Sequence, residues 1–126
     1  MTTVLQTNPA TEAATIAAQN DAFRKSIMFF NDTEDTPKGQ FMMTSGVSAM
    51  GPDARLSATR QVAAFEAFTP DNDPYGWHDF GAVEVFGTTI WFKVDLYDVN
   101  YEMGSDAPTD LEQTRRVLTL LLPSEY

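Results

Sequence analysis

The residues best suited to chemistry lie together in a stretch of twelve, residues 69–80. This stretch holds three carboxylates, at Asp71, Asp73 and Asp79, and the only histidine of the chain, His78. A histidine beside a carboxylate is the arrangement of a general base with an orienting partner, and the same groups also bind metal ions. One hypothesis is therefore a metal-dependent enzyme that uses these four side chains.

Two observations weaken the metal interpretation. Asp71, Asp73 and Gly76 resemble the opening of a calcium-binding loop, but such a loop ends in a bidentate glutamate, where this chain has Ala82. The chain also lacks cysteine, so a zinc site would need oxygen ligands or water around a single histidine. Carboxylates in such a loop more often close tight turns. We therefore predict no catalytic residue, no metal and no cofactor.

A nuclease interpretation meets a similar obstacle. Its usual order of acid, any residue and lysine would place a carboxylate at position 91, which is Trp91. Lys93 and Asp95 have the reverse order. We expect these two side chains to face solvent near Glu84 and to take part in a cross-strand ion pair.

The net charge of the chain comes from one region. Residues 61–114 contain eleven carboxylates and one cation, Lys93, and this stretch accounts for the whole formal net charge of −10. A surface of one sign creates a field that selects basic partners, although evenly spread acidic groups mainly confer solubility. Such a surface is repelled by anionic lipid and by nucleic acid, so we predict no direct binding to either.

Length and composition predict one domain over residues 1–126. The chain is 126 residues long and 43% hydrophobic, enough for a single core. It has no segment of the roughly 20 apolar residues that span a bilayer, and its start does not resemble a signal peptide. We therefore expect a cytoplasmic protein without disulfide bonds. The oligomeric state stays open.

Two helices are predicted from their capping signals. Asn8 and Pro9 suit the N-cap and the first helical position, and the following alanine-rich run places Ile16, Phe23 and Ile27 on one face. A second helix is predicted to begin at residues 51–52 and to end at residues 69–70. Its expected core contacts are Leu56, Val62, Phe65 and Phe68.

Four strands complete the prediction. The clearest signal is the alternation of apolar and polar residues in 89–98, which pairs with 80–86 around a turn at Gly87 and Thr88. Shorter strands are expected at 40–45 and 117–122, and a helical turn near Asp110, where Thr109 and Glu112 have the spacing of a capping box. The predicted fold class is α+β, an antiparallel sheet of about four strands with two helices packed on one face.

The charge pattern then predicts a partner. Ten charges on one side of a globule about 30 to 35 Å across fall at roughly one per 3 to 3.5 Å, close to the ~3.4 Å phosphate spacing of one DNA strand. We therefore hypothesise an acidic inhibitor that mimics DNA and occupies a cationic nucleic-acid-binding surface. Tyr75 and Trp77 are expected to serve as aromatic anchors. The predicted partner-binding residues are Asp71, Asp73, Tyr75, Trp77, Asp79, Glu84, Asp95, Asp98 and Glu102.

Four segments carry a resemblance to a known family. They are FTPDNDPYGWHDFGAV at 68–83, WFKVDLYD at 91–98, RVLTLLL at 116–122 with the following Glu125 and Tyr126, and NDAFR at 20–24. They resemble a small bacterial family of unknown function, whose members are frequent on plasmids and other mobile elements. By analogy of setting and charge, the resemblance implies inhibition of host defence, of the anti-CRISPR or anti-restriction type. It implies no catalytic residue. A general protein-interaction module, docked through aromatic residues and insensitive to salt, remains a further alternative.

Overall fold

The computed structural model describes residues 9–28 and 33–126. In chain order, the elements are α1 (Pro9–Ser26), β1 (Gly39–Met43), α2 (Ser45–Ser48), α3 (Pro52–Ala63), β2 (Phe80–Val85), β3 (Thr88–Tyr97), β4 (Arg115–Leu121) and a final 3-10 turn (Pro123–Glu125). The α+β class and the number of strands are confirmed. Within the described ranges, no helix is both long and apolar enough to cross a membrane.

The four strands form one mixed sheet in the order β1-β4-β3-β2. The β2–β3 and β3–β4 pairs are antiparallel, as predicted, but β1 runs parallel to β4. These two strands are some seventy residues apart in the chain, so no hairpin turn dictates their relative direction. The sheet is mostly antiparallel, with one parallel pair at its edge.

The core lies between one face of this sheet and the helices. Ile90, Phe92 and Val94 of β3 point into it, as the alternation predicted, and Leu118 and Leu120 of β4 point to the same side. From the helices, α1 contributes Ile16 and Phe23, and Ile27, just after the end of α1, packs at the margin of the core, which confirms the predicted face. The predicted cap at Asn8 lies outside the described residues.

The predicted end of the second helix is wrong. α3 ends at Ala63, and residues 64–79 form an irregular loop. The buried guanidinium of Arg24 donates to the carbonyl of Val62, the group that a continuing helix would offer to the N–H of residue 66. Phe65 and Phe68 still pack against the core, but from the loop. The predicted core contact at Leu56 is wrong, since this side chain is 46% exposed and is not one of the described core residues.

Two turns also differ from the sequence-based prediction. The β2–β3 turn is formed by Phe86 and Gly87, both at positive φ, which is the backbone that suits the twist of a two-residue hairpin. The helical turn expected near Asp110 is absent from the described loop. Instead, the carboxylate of Asp110 accepts the N–H of Glu112 and closes a non-helical turn.

Candidate functional site: an acidic end of the sheet

Most of the carboxylates of the acidic region belong to two loops that meet at one end of the sheet. β2 begins, β3 ends and β4 begins at this end, so the loop 64–79 leads into it and the loop 98–114 lies across it, and residues of both loops line one cavity there. Neither loop contains a lysine or an arginine. We call these two loops the acidic end. They hold nine of the eleven carboxylates, namely Glu66, Asp71, Asp73, Asp79, Asp98, Glu102, Asp106, Asp110 and Glu112.

The predicted aromatic anchors also lie in the acidic end. The side chains of Tyr75 and Trp77 are 70% and 37% exposed, and their ring centroids are 5.2 Å apart. Exposed aromatic pairs of this kind supply much of the energy of protein interfaces. Asp71 and Glu102 are exposed in the same two loops.

Two of the predicted partner-binding carboxylates, those of Asp73 and Asp98, accept hydrogen bonds from the backbone of their own loops. Asp73 is only 7% exposed, and one of its oxygens accepts the N–H groups of Trp77 and His78. Asp98 likewise accepts the N–H groups of Asn100 and Glu102. These bonds fix the loop backbone, and the neighbouring carboxylates are therefore presented on ordered supports.

Glu84 and Asp95 lie outside the two loops. Glu84 is paired opposite Thr89 next to the hairpin turn, at the far end of β2 from the acidic end. Asp95 lies on the helix-free face of the sheet and bonds Lys93 of its own strand at 2.5 Å. The expected cross-strand ion pair near Glu84 is therefore wrong, because Lys93 is opposite Phe80.

From loop 98–114, sequence reasoning selected only Asp98 and Glu102 as partner-binding residues. Asp106, Asp110 and Glu112 are exposed there, and with Glu66 they extend the acidic end beyond the predicted residues. The signal was the uninterrupted run of acidic positions without a cation between β3 and β4. It could have been found by treating the loop as a unit instead of selecting residues on strands.

His78 takes its carboxylate partner from α1, not from its neighbour Asp79. Its Nδ1 lies 3.0 Å from both carboxylate oxygens of Asp21, and its ring stacks on Phe68 with centroids 4.0 Å apart. Asp21 also forms an ion pair with Arg24. The loop 64–79 is thereby attached to the first helix.

Two buried arginines complete this attachment. Arg24 donates to the carbonyls of Val62 and Phe65, and burial lowers its pKa while Asp21 opposes the shift. Arg116 donates from Nε to Asn20, and its burial lowers its pKa to about 10. The amide of Asn20 in turn donates to the carbonyl of residue 77 in the loop. Because such groups are costly to bury unpaired, they hold the helix and the loop in one arrangement.

A comparison with protein-family models gives one match, to DUF3768, described as a protein of unknown function, over residues 43–125. The matched segment begins at the last residue of β1 and includes α2, α3, β2, β3, β4 and the final 3-10 turn. The chain belongs to the DUF3768 family. The comparison with curated proteins and the comparison with solved structures found no match. Helix α1, which supplies Asn20, Asp21 and Arg24 to the site, precedes the segment that matches the DUF3768 model.

The four residues of the metal hypothesis do not converge in this DUF3768 chain. Asp71 is exposed, Asp73 is turned towards backbone N–H groups, and His78 faces Asp21. The Nε2 atom of His78 lies 3.9 Å from Asp73. Among residues 9–28 and 33–126, no three histidine or acidic side chains stand close enough together to hold a metal ion.

Proposed function

We propose that this protein is an inhibitor that binds a basic nucleic-acid-binding protein through its acidic end and thereby excludes the nucleic acid. The observation that carries the proposal is the gathering of nine carboxylates, without any lysine or arginine, in two loops at one end of the sheet. A surface of one sign attracts a channel of the opposite sign and raises the rate of association.

The acidic end, not the helix-free face of the sheet, is the mimicking surface in this proposal. The helix-free face carries the cations Lys93 and Arg115 beside its acids, and Asp95 is neutralised there by Lys93. Neither loop of the acidic end contains a cation of its own. The guanidinium of Arg115, at the start of β4, donates to the carbonyls of Leu111 and Glu112 and so offsets part of the charge at that edge. The internal bonds of Asp73 and Asp98 order both loops before binding, which lowers the entropic cost of association.

The partner class is a host defence complex with a cationic channel, of the CRISPR or restriction type. This part rests on the resemblance to a family frequent on mobile elements and on the charge of the acidic end. Inhibition by occupancy needs no catalytic residue. It also needs no direct contact with nucleic acid or membrane, and it would operate in the cytoplasm.

The test is competition for DNA. Fluorescence anisotropy of labelled DNA bound to purified Cas–guide complexes and restriction enzymes would measure its displacement by the protein. We expect Glu102→Lys combined with Asp106→Lys to abolish displacement of DNA from any complex that the wild type inhibits, because two charges of the acidic end are reversed. The fold should stay intact, because neither side chain forms a hydrogen bond or an ion pair with residues 9–28 or 33–126. Asp53→Lys combined with Glu84→Lys is the matched control, with the same change in charge away from the acidic end.

Salt separates this proposal from a general interaction module. Binding through charge should weaken steeply between about 50 and 200 mM salt, whereas docking through aromatic residues should change little. Displacement that survives the Glu102 and Asp106 reversals, or that is independent of salt, would refute the proposed function.

A further inference from the structure

The acidic end contains a cavity of about 290 Å³ between α1, β3 and the two loops. This volume lies just below the range of typical small-molecule sites, about 300 to 1,000 Å³, and suits a single long side chain. Its wall is partly apolar and partly acidic. Among its lining residues are Glu12, Ile16, Trp77, Asp79, Asp95 and Leu96.

The acidic part of the wall contains a carboxylate without a counterion. Asp79 is only partly exposed, and within the described residues no cation lies within 4.0 Å of its oxygens. Burial raises the pKa of Asp79, and the charges of Asp73 and Asp95 raise it further, while a backbone N–H bond and the neighbouring His78 oppose the shift. The carboxylate of Asp95 points to the helix-free face of the sheet, where it bonds Lys93, so Asp79 is the group that gains most from a cation brought by another molecule.

The apolar part of the wall selects among cations. Trp77 supplies an indole ring, the aromatic surface that attracts cations most strongly. A guanidinium is flat, can stack on this ring and can donate several bonds in one plane to carboxylates. An ammonium is a compact, strongly hydrated charge and would gain less from the ring.

We propose that this cavity binds an arginine side chain of the basic partner, with the guanidinium between Trp77 and Asp79. The proposal rests on the proposed function, because it specifies how the acidic end recognises that partner. The aliphatic part of the arginine packs against Ile16 and Leu96, and Glu12 adds a second carboxylate on the α1 side. Charge complementarity argues for this occupant, since the cavity has acidic groups on two sides and one of them is unpaired.

The experiment uses the whole protein and a defined probe. Acetyl-Gly-Arg-Gly-amide is titrated into ¹⁵N-labelled protein, and the indole N–H of Trp77 and the amides of Gly104 and Ser105 are followed by NMR. Citrulline replaces arginine in a control peptide of the same shape without charge, and lysine in a second. We expect saturable shifts with the arginine peptide, at least about fivefold weaker binding of the lysine peptide, and no saturable binding of the citrulline peptide.

Two variants locate the binding. Asp79→Asn should weaken binding of the arginine peptide about tenfold, the usual loss when a charged hydrogen bond is removed, and Trp77→Ala should weaken it by a similar factor. Equal binding of arginine and citrulline peptides, equal binding of arginine and lysine peptides, or unchanged binding by Asp79→Asn would each overturn the proposal.

A second pair of variants distinguishes this proposal from the proposed function. Glu102→Lys with Asp106→Lys should leave peptide binding within about threefold of wild type in about 1 M salt, where the field of residues that do not line the cavity is screened, while displacement of DNA at low salt is lost. If the wild type binds the arginine peptide but the reversal variant still displaces DNA, the arginine site in the cavity is supported and inhibition through the charges of the acidic end is refuted. Loss of DNA displacement in the reversal variants, without any peptide binding by the wild type, would support the inhibitor and refute the cavity.

Discussion

Replacing Arg24 by alanine should destabilise the protein by about 3 to 5 kcal/mol. The side chain of Arg24 is 1% exposed, and it donates to the carbonyls of Val62 and Phe65 and to the carboxylate of Asp21. Its removal takes the guanidinium donor from the carbonyl of Phe65, at about 1 to 3 kcal/mol, and leaves the carbonyl of Val62 with the N–H of Phe65. It also breaks an ion pair that is buried on the arginine side. These losses are not additive, because all three bonds share one group.

The assay is urea denaturation followed by tryptophan fluorescence, with the unfolding free energy taken from the midpoint and slope. Arg55→Ala is the matched control, since Arg55 makes one exposed bond to the carbonyl of Ser48 and should cost less than about 1 kcal/mol. Arg24→Lys keeps the charge but not the forked donors, and it should lie between the two.

A second measurement connects this change to the acidic end. Arg24 and His78 share Asp21, so loss of Arg24 should increase amide hydrogen exchange at residues 77 and 78 more than in β3. The reasoning is refuted if Arg24→Ala lies within about 1 kcal/mol of wild type, or if its effect on exchange is the same throughout the chain.

Three further predictions follow from single contacts. Asp79→Asn should raise the unfolding free energy at pH 7 by less than about 1 kcal/mol. The reason is that folding raises the pKa of Asp79, so its charged form opposes folding above that pKa. In urea denaturation at a series of pH values, this gain in stability should vanish as the pH falls through the raised pKa of Asp79. Gly39→Ala should lower the unfolding free energy measured by urea denaturation by more than about 2 kcal/mol, because an added Cβ would lie 1.9 Å from the carbonyl oxygen of Arg116. Gly104→Ala is the control: its Cβ would lie 3.9 Å from the nearest atom, so the unfolding free energy should change by less than about 0.5 kcal/mol. The pKa of Glu125 is lowered chiefly by the hydroxyl of Thr44, so its carboxylate stabilises the fold above the ordinary carboxyl pKa, and this stabilisation is lost as the pH falls through the lowered pKa. Glu125→Gln should lower the melting temperature at pH 7 and remove this loss of stability at low pH. If the melting temperature of Glu125→Gln depended on pH as that of the wild type does, the contact with Thr44 would be contradicted.

The local features of the fold could be read from the sequence because neighbouring residues determine them. The alternation around Phe92 requires only that one face of β3 be buried, and the prediction was confirmed. The end of α3 could not be read in this way, because it depends on Arg24, which lies 38 residues from Val62. The parallel pairing of β1 with β4 could not be read from the sequence either, because pairing between strands that are distant in the chain depends on the packing of the whole core.

The site was predicted in composition but not in arrangement. The number of carboxylates in residues 61–114 identified the acidic region. The order and direction of β2, β3 and β4 bring the loops 64–79 and 98–114 together, and a count of residues cannot predict this. Asp73 was predicted to face a partner, yet it is buried because two N–H groups of its own loop need an acceptor. The contact of His78 with Asp21 joins residues 57 positions apart, and no local pattern marks it.

The most direct test of the central claim is a hydrogen-exchange map of the protein bound to a basic complex from which it displaces DNA in the anisotropy assay. The proposed mode of binding predicts slower exchange in both loops of the acidic end, 64–79 and 98–114, and unchanged exchange in α2 and α3. Protection confined to the helices or to the helix-free face of the sheet, with both loops unchanged, would contradict binding through the acidic end.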